Sequence, residues 1–222
     1  MTQTAPASTP DPDAWARETE DQVLDAALVH VVHEGWSRRL AIRAGADVGL
    51  SAGETELLLP NGAADLAALL GRRHDRRALA ALAGTDPASL KIRERIRAAV
   101  EARLDAAAQD EAAVRRWSGF LALPQNLALG GRLLWDSADQ LWRWAGDTAT
   151  DENHYSKRAI LSGILSAALA IRLQSGREAS MAFVDARIAN VMSFEKWKAT
   201  TKIRPSAALK TFAQTLGRLR YG

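Results

Sequence analysis

Trp142-Arg143-Trp144-Ala145-Gly146-Asp147-Thr148-Ala149-Thr150-Asp151-Glu152-Asn153-His154-Tyr155-Ser156-Lys157-Arg158 decides how the rest of the chain is read. A Trp-rich helical pattern stops at Gly146, crosses a short polar turn and restarts as a long helix. Asp151, His154, Tyr155 and Arg158 stand at relative positions 0, 3, 4 and 7 of that second helix, so all four share one face. An acid, an imidazole, a phenol and a guanidinium together are poorly suited to a core. They suit docking, or the grip of a polar headgroup.

The same punctuation extends in both directions. Apolar residues recur at spacings of three and four, interrupted at Gly35, Gly49, Pro60, Gly84, Pro87, Pro124, Gly176 and Pro205. The pattern predicts a helix over 13–34 and two short ones over 38–47 and 52–59. Longer helices follow over 62–83, 88–109, 110–123, 126–145, 151–175 and 178–194, with a last one over 206–220. Ser51 is placed to cap the third helix and Asp151 the long one. The expected fold is all-α, with about ten helices in four parts: a disordered tail over 1–13, a helix-turn-helix-like part over 14–62, a helical body over 63–194, and a basic linker with an amphipathic helix over 195–222.

Composition narrows the chemistry. The chain has 222 residues, 47% hydrophobic and 25% charged, enough for one good core. It has no cysteine, which removes disulfides, thiolate catalysis and thiolate metal sites. No apolar run approaches the roughly 18 residues of a membrane span. Met1 to Asp13 carries no Lys or Arg and no apolar block, so it reads as neither a secretory signal nor a transit peptide. The net charge of +3 is unevenly spread: Glu195 to Gly222 holds seven bases against one acid, a local +6, which leaves −3 on the remainder. A basic end on a mildly acidic body points to an anionic partner.

From Leu40 to Leu66 the pattern is helix, Gly turn, helix, and the start of another helix, which resembles the DNA-binding end of TetR-type repressors. Such proteins read bases with the second helix of the pair. Here that helix is Ala52-Gly53-Glu54-Thr55-Glu56-Leu57-Leu58-Leu59, with two carboxylates and no base. A polyanionic groove demands positive charge, and Arg38, Arg39 and Arg43 lie one helix too early to read bases. The shape is TetR-like; nucleic-acid binding is not expected.

Trp117 to Trp144 concentrates large apolar groups, continued by Ile160, Leu161, Ile164, Leu165 and Leu169 and then by Phe183, Val184, Ile188 and Val191. These residues fill either a packed core or an apolar pocket, since both draw on the same types. Gly119, Gly130, Gly131 and Gly163 inside helical patterns each cost about 1 kcal/mol relative to Ala and would leave room for a long ligand.

The polar face at 151–158 allows four readings. His154, Tyr155 and Asp151 offer acid–base groups, yet no nucleophile with a positioned base and no phosphate loop accompanies them. Asp151 and His154 supply only two metal ligands. A capping and salt-bridge patch is the plainest account. The fourth is an interaction face. At the end of the chain, Leu209, Phe212, Ala213, Leu216 and Leu219 form an apolar edge with Lys210, Arg218 and Arg220 beside it. Such a basic amphipathic helix suits an anionic bilayer, or packing on its own body.

Trp-x-Trp-Ala-Gly-Asp-x-x-Thr-Asp-x-Asn-x-Tyr-x-x-Arg-Ala, as it stands at 142–159, resembles the central signature of a ubiquinone-biosynthesis accessory family, the lipid-binding ninth protein of the coenzyme Q series. The resemblance runs from about Asp21 onward and implies a TetR-like helical fold with no catalytic residue, metal or cofactor. It implies a phospholipid or polyprenyl quinone in a cavity, and the residues expected to line it are Trp117, Phe120, Leu121, Leu134, Trp144, Arg158, Leu161, Ile164, Leu165 and Ile188. It implies contact with the di-iron demethoxyubiquinone hydroxylase through Leu141, Asp151, His154, Tyr155 and Arg158. His154 departs from those relatives that carry Trp there, which puts a titratable ring in place of an apolar contact. Membrane association falls to Leu209, Lys210, Phe212, Leu216, Arg218, Leu219 and Arg220. The resemblance also allows a homodimer. With no transit peptide in Met1–Asp13, it implies a bacterial cytoplasmic protein, peripheral on the inner membrane.

Overall fold

Helices begin and end where the glycines, prolines and capping residues direct. The computed structural model describes residues 12–148 and 152–201, with side chains at 14–148 and 154–191. α1 (Pro12–Glu34), α2 (Arg38–Asp47), α3 (Ala52–Leu58) and α4 (Ala63–Leu82) come first; α5 (Ile92–Ala108), α6 (Glu111–Leu121), α7 (Leu127–Trp144) and α8 (Glu152–Thr201) follow. Among the described residues there is no strand, and the all-α expectation is borne out. Asp151 and the whole 206–220 segment, with Leu209, Lys210, Phe212, Leu216, Arg218, Leu219 and Arg220, lie outside the described residues.

α2 and α3 make the helix-turn-helix-like pair. Ser37 Oγ accepts from Leu40 N at 3.1 Å, and Ser51 forms a capping box with Glu54 as its sequence position predicts. The pair crosses at a glycine: a Cβ at Gly45 would stand 2.0 Å from Thr55 Oγ1. A long first helix, this pair and α4 reproduce the TetR-like order. On α3, Leu57 is exposed and Glu56 pairs with Arg38.

Apolar side chains collect in two clusters. The first joins α1, α2, α4 and α6 through Leu24, Val31, Leu40, Leu66, Leu70 and Trp117, so it spans position 62. Trp117 is held there by its Nε1, which donates to the Ala67 carbonyl at 2.8 Å. The second joins α5, α7 and α8 through Val100, Leu104, Ala138, Leu141, Leu161 and Val184. Fully burying one Leu contributes about 1.5–3 kcal/mol, so each cluster stabilises its own helices.

A polar knot on α4 ties the clusters together. Asp75 Oδ1 accepts from Arg103 Nε of α5 and from Ser137 Oγ of α7, both at 2.6 Å. Next to it, fully buried His74 pairs through Nε2 with Asp110 at 2.9 Å, and Arg77 reaches the same carboxylate at 2.6 Å.

α8 is two helices. Gly176 takes φ 84° and ψ −175°, a conformation open to glycine alone without strain. The chain doubles back there: Ser180 Oγ donates to the Ala168 carbonyl at 2.8 Å. Twelve residues of straight helix would separate those groups by about 18 Å. The expected division near 175–178 is therefore correct. The first limb is also more apolar than the absence of an unbroken apolar run implies. An 18-residue window within His154–Val191 reaches a mean hydropathy of 1.4, apolar enough to cross a membrane by length and composition. Scattered Ser and Gly hide it from a search for unbroken apolar runs.

Candidate functional site

The quoted stretch folds as a braced corner between α7 and α8. Gly146, at φ 88°, ends α7: Asp147 N donates to the Trp142 carbonyl and Gly146 N to the Arg143 carbonyl, both at 3.0 Å. This Schellman close throws Asp147 over the start of α8. Arg95 of α5 anchors the turn from outside, with Nη1 donating to the Ala145 carbonyl at 2.9 Å.

Arg158 fills the inside of the corner and is 1% exposed. Its Nε donates to Asp139 at 2.6 Å and its Nη1 to Asp147 at 2.9 Å. Lys157 Nζ donates to the other Asp147 oxygen at 2.6 Å and stands 5.3 Å over the Trp142 ring. Burial works to raise the Asp147 pKa, but hydrogen bonds from Lys157 and Arg158 outweigh it and hold the carboxyl below its ordinary value. Burial likewise opposes the charge on Arg158, and Asp139 and Asp147 more than offset it. Two cations and two carboxylates satisfy one another, which is what permits a guanidinium this deep.

Beside the corner lies an apolar cavity of about 370 Å³. Ile92 and Ile96 of α5 form one wall; Ile160, Leu161 and Ile164 of the first limb of α8 form another. Ile188 and Val191 of the second limb close the far side, and Trp142, Asp147 and Lys157 form the corner end.

Of the expected lining residues, Leu161, Ile164 and Ile188 stand on this cavity. Leu165 is buried in the same cluster, and Leu134 and Trp144 are half-buried at its edge. Trp117 and Leu121 belong to the other cluster, with Phe120 packed on it 6.5 Å from the Trp36 ring. The helical glycines do not make the room expected of them. A Cβ at Gly119, Gly131 or Gly163 would meet nothing within 4 Å, since all three are exposed, and Gly130 backs onto Leu121. None of the four lines the cavity.

The expected docking face divides. Tyr155 is 64% exposed, and its ring stands 5.2 Å from His154 and 6.0 Å from Trp135. Arg158 points inward instead, because two carboxylates of the α7 side claim it. Leu141 is also fully buried, so neither residue is presented to a partner. Sequence reasoning assigned no role to Asp139, Asp147, Lys157 or Ile92. Only Asp147 carried a signal, as the residue after a helix-ending glycine.

By fold and site, this is an all-α protein with a TetR-like front and an apolar cavity beside an ion-braced helical corner. Its family is COQ9. Residues 127–195, which span α7 and most of α8, match the COQ9 family model. Over 79% of its length the chain is 28% identical to "Ubiquinone biosynthesis protein COQ9, mitochondrial" of Rattus norvegicus, covering 61% of that protein. It is 28% identical to the protein of that name from Xenopus tropicalis, covering 58% of it, and 26% identical to the one from Homo sapiens, covering 59%. The chain thus spans about three fifths of the length of these relatives. The resemblance read from Trp142–Arg158 is borne out.

Proposed function

We propose that this chain is a non-catalytic lipid-binding protein of ubiquinone biosynthesis. It draws a polyprenylated quinone intermediate from a membrane into the cavity beside α5 and presents it to the di-iron demethoxyubiquinone hydroxylase. The cavity carries this reading, because its walls are isoleucine and leucine and its polar groups gather at the corner end. At roughly 30 Å³ per water-sized group, it has room for about a dozen heavy atoms, a quinone ring or a short length of chain. The remaining tail stays in the bilayer or a partner. Without such a slot, each exposed CH₂ opposes extraction by about 0.8 kcal/mol.

The Tyr155, His154 and Trp135 rings beside the corner supply an aromatic anchor for the hydroxylase. The +6 segment from Glu195 onward supplies attraction to an anionic inner membrane, where the protein is peripheral. A DNA-binding regulator finds less support, since the exposed side of α3 carries Glu54 and Glu56 where bases would be read.

Lipid extraction of gently purified protein tests the reading, with an isoprenoid or phospholipid expected in the extract. Ile164→Trp, which fills the cavity, should lose it. Wild-type protein that carries no lipid and takes up none from vesicles would refute the carrier function. Flotation with anionic vesicles tests the membrane assignment: a chain cut before Ser206 should no longer float, whereas equal flotation removes that role from the segment.

A further inference from the structure

One wall of the cavity is fastened differently from the rest. Ile96, Leu161 and Ile164 belong to the second apolar cluster and are buried, and they hold α5 and the first limb together although Ile92 and Ile160 on the same walls are exposed. Ile188 and Val191 sit on the second limb of α8, and both are only half-buried. That limb is seated near its start, where Ser180, Met181 and Val184 are buried, while Asp185, Ala186, Arg187, Ala189 and Asn190 are exposed. At the cavity end an ion pair ties it to α5: Arg97 Nε donates to Asp185 Oδ1 at 2.8 Å, with side chains 42% and 51% exposed.

The seam under this ion pair is open. A groove of about 350 Å³ runs between Arg93, Glu94 and Arg97 on α5 and Asp185 and Ala189 on the limb. It shares Arg93 and Ile188 with the cavity, so groove and cavity adjoin across these two side chains. The Asp185–Arg97 pair bridges that seam. At the other end of the limb, Gly176 makes the reversal, and a Cβ there would meet nothing within 4 Å. Arg172 and Arg177, on either side of Gly176, pair with Asp105 and Glu101 and hold the pivot to α5.

We infer that the second limb of α8 is a lid over the apolar cavity, hinged at Gly176 and latched to α5 by the Asp185–Arg97 pair. This rests on the cavity being a ligand site. An exposed ion pair is a weak fastening that salt screens, whereas an apolar seal would ignore salt. A latch of this kind opens where an anionic surface competes with Asp185 for Arg97. It therefore releases the lid at the membrane and closes it in bulk water, with Ile188 and Val191 covering the ligand.

The test uses the full chain and the uncharged fluorophore N-phenyl-1-naphthylamine, whose entry is followed by stopped flow. In wild type the entry rate should rise several-fold between about 20 mM and about 500 mM NaCl. Asp185→Asn should enter at the fast rate at both salt concentrations, and Arg97→Gln gives an independent variant with the same expected result. The chain has no cysteine, so R97C/D185C joined by a short bismaleimide bridges the seam alone and should slow entry below the low-salt wild-type rate. Ile160→Trp, at the cavity wall, should abolish the signal and place the probe. If the probe binds and Ile160→Trp blocks it, but entry is indifferent to salt, to both single variants and to the bridge, the lid is overturned and the cavity reading stands. If wild type takes up no probe at all, both fall together.

Discussion

The molecule buries an arginine against carboxylates in two places, and the two differ in what surrounds them. At the knot, Arg103 and Asp75 are 8% and 7% exposed, and Ser137 completes the set so that three helices meet at one carboxylate oxygen. At the corner, Arg158 is as deep, but Asp139 is 20% exposed and Lys157 37%. The knot lies between two packed clusters. The corner lies at the end of a cavity, with Tyr155 on its outer side. The same ionic chemistry pins the fold in one case and props open a wall in the other. What separates them is whether apolar side chains fill the adjoining space.

The comparison breaks first at the knot. Asp75→Ala leaves the Arg103 charge buried without a partner, and the expected loss is about 3–5 kcal/mol in urea unfolding. A loss near 1 kcal/mol would mean that Arg103 finds water and that the knot is no tighter than the corner. Arg158→Ala should cost less, about 2–3 kcal/mol, since Asp139 is partly solvated and Asp147 keeps Lys157. This value replaces the near-zero effect that an exposed Arg158 would imply. Equal losses in the two variants would erase the distinction.

A smaller effect sharpens the knot's side through pH. Burial pushes the His74 pKa below its ordinary 6.5, against the opposing hydrogen bond to Asp110, with Arg103 and Arg77 also disfavouring the charge. Its Nδ1 has no partner among the described residues, so protonation would bury an unmatched N–H. A depressed folded-state pKa means that stability is complete above about 6.5 and declines as pH falls below it. Asp110, lowered chiefly by His74, adds a second decline below its ordinary 3.8. Melting temperature against pH should therefore fall in two steps, and His74→Gln should remove the upper one and shrink the lower to the part that Arg77 supplies. A wild-type profile flat from pH 7 to pH 5 contradicts this.

The smallest stability effect is expected on the outer side of the corner. Tyr155→Ala should change stability by no more than about 0.5 kcal/mol, as exposed positions usually do. If the proposed docking holds, it should instead weaken capture of the hydroxylase in a pull-down. A large loss of melting temperature would make Tyr155 part of the brace.

Much of the fold was legible because backbone conformation answers to local chemistry. Ser51 caps α3, Gly146 ends α7 and Gly176 divides α8, each within a residue or two of its sequence position. The site was legible as a segment and misread in its orientation. His154, Tyr155 and Arg158 lie within one turn of α8, but a 3.6-residue period does not say where the buried side ends, and that edge falls between exposed Tyr155 and buried Arg158. Arg158 turns inward because Asp139 and Asp147 wait there, 19 and 11 residues earlier on another element.

By itself the sequence determined an all-α chain, the limits of its helices and the family it resembles, since caps, turns and motif residues act over a few positions. Only the tertiary structure decided that Trp117 and Trp142 serve different clusters, that Leu141 and Arg158 are buried, and that α5 and the two limbs of α8 line one cavity. Those outcomes depend on pairing groups far apart in the chain, and apolar periodicity gives a helix a sticky side without naming its neighbour.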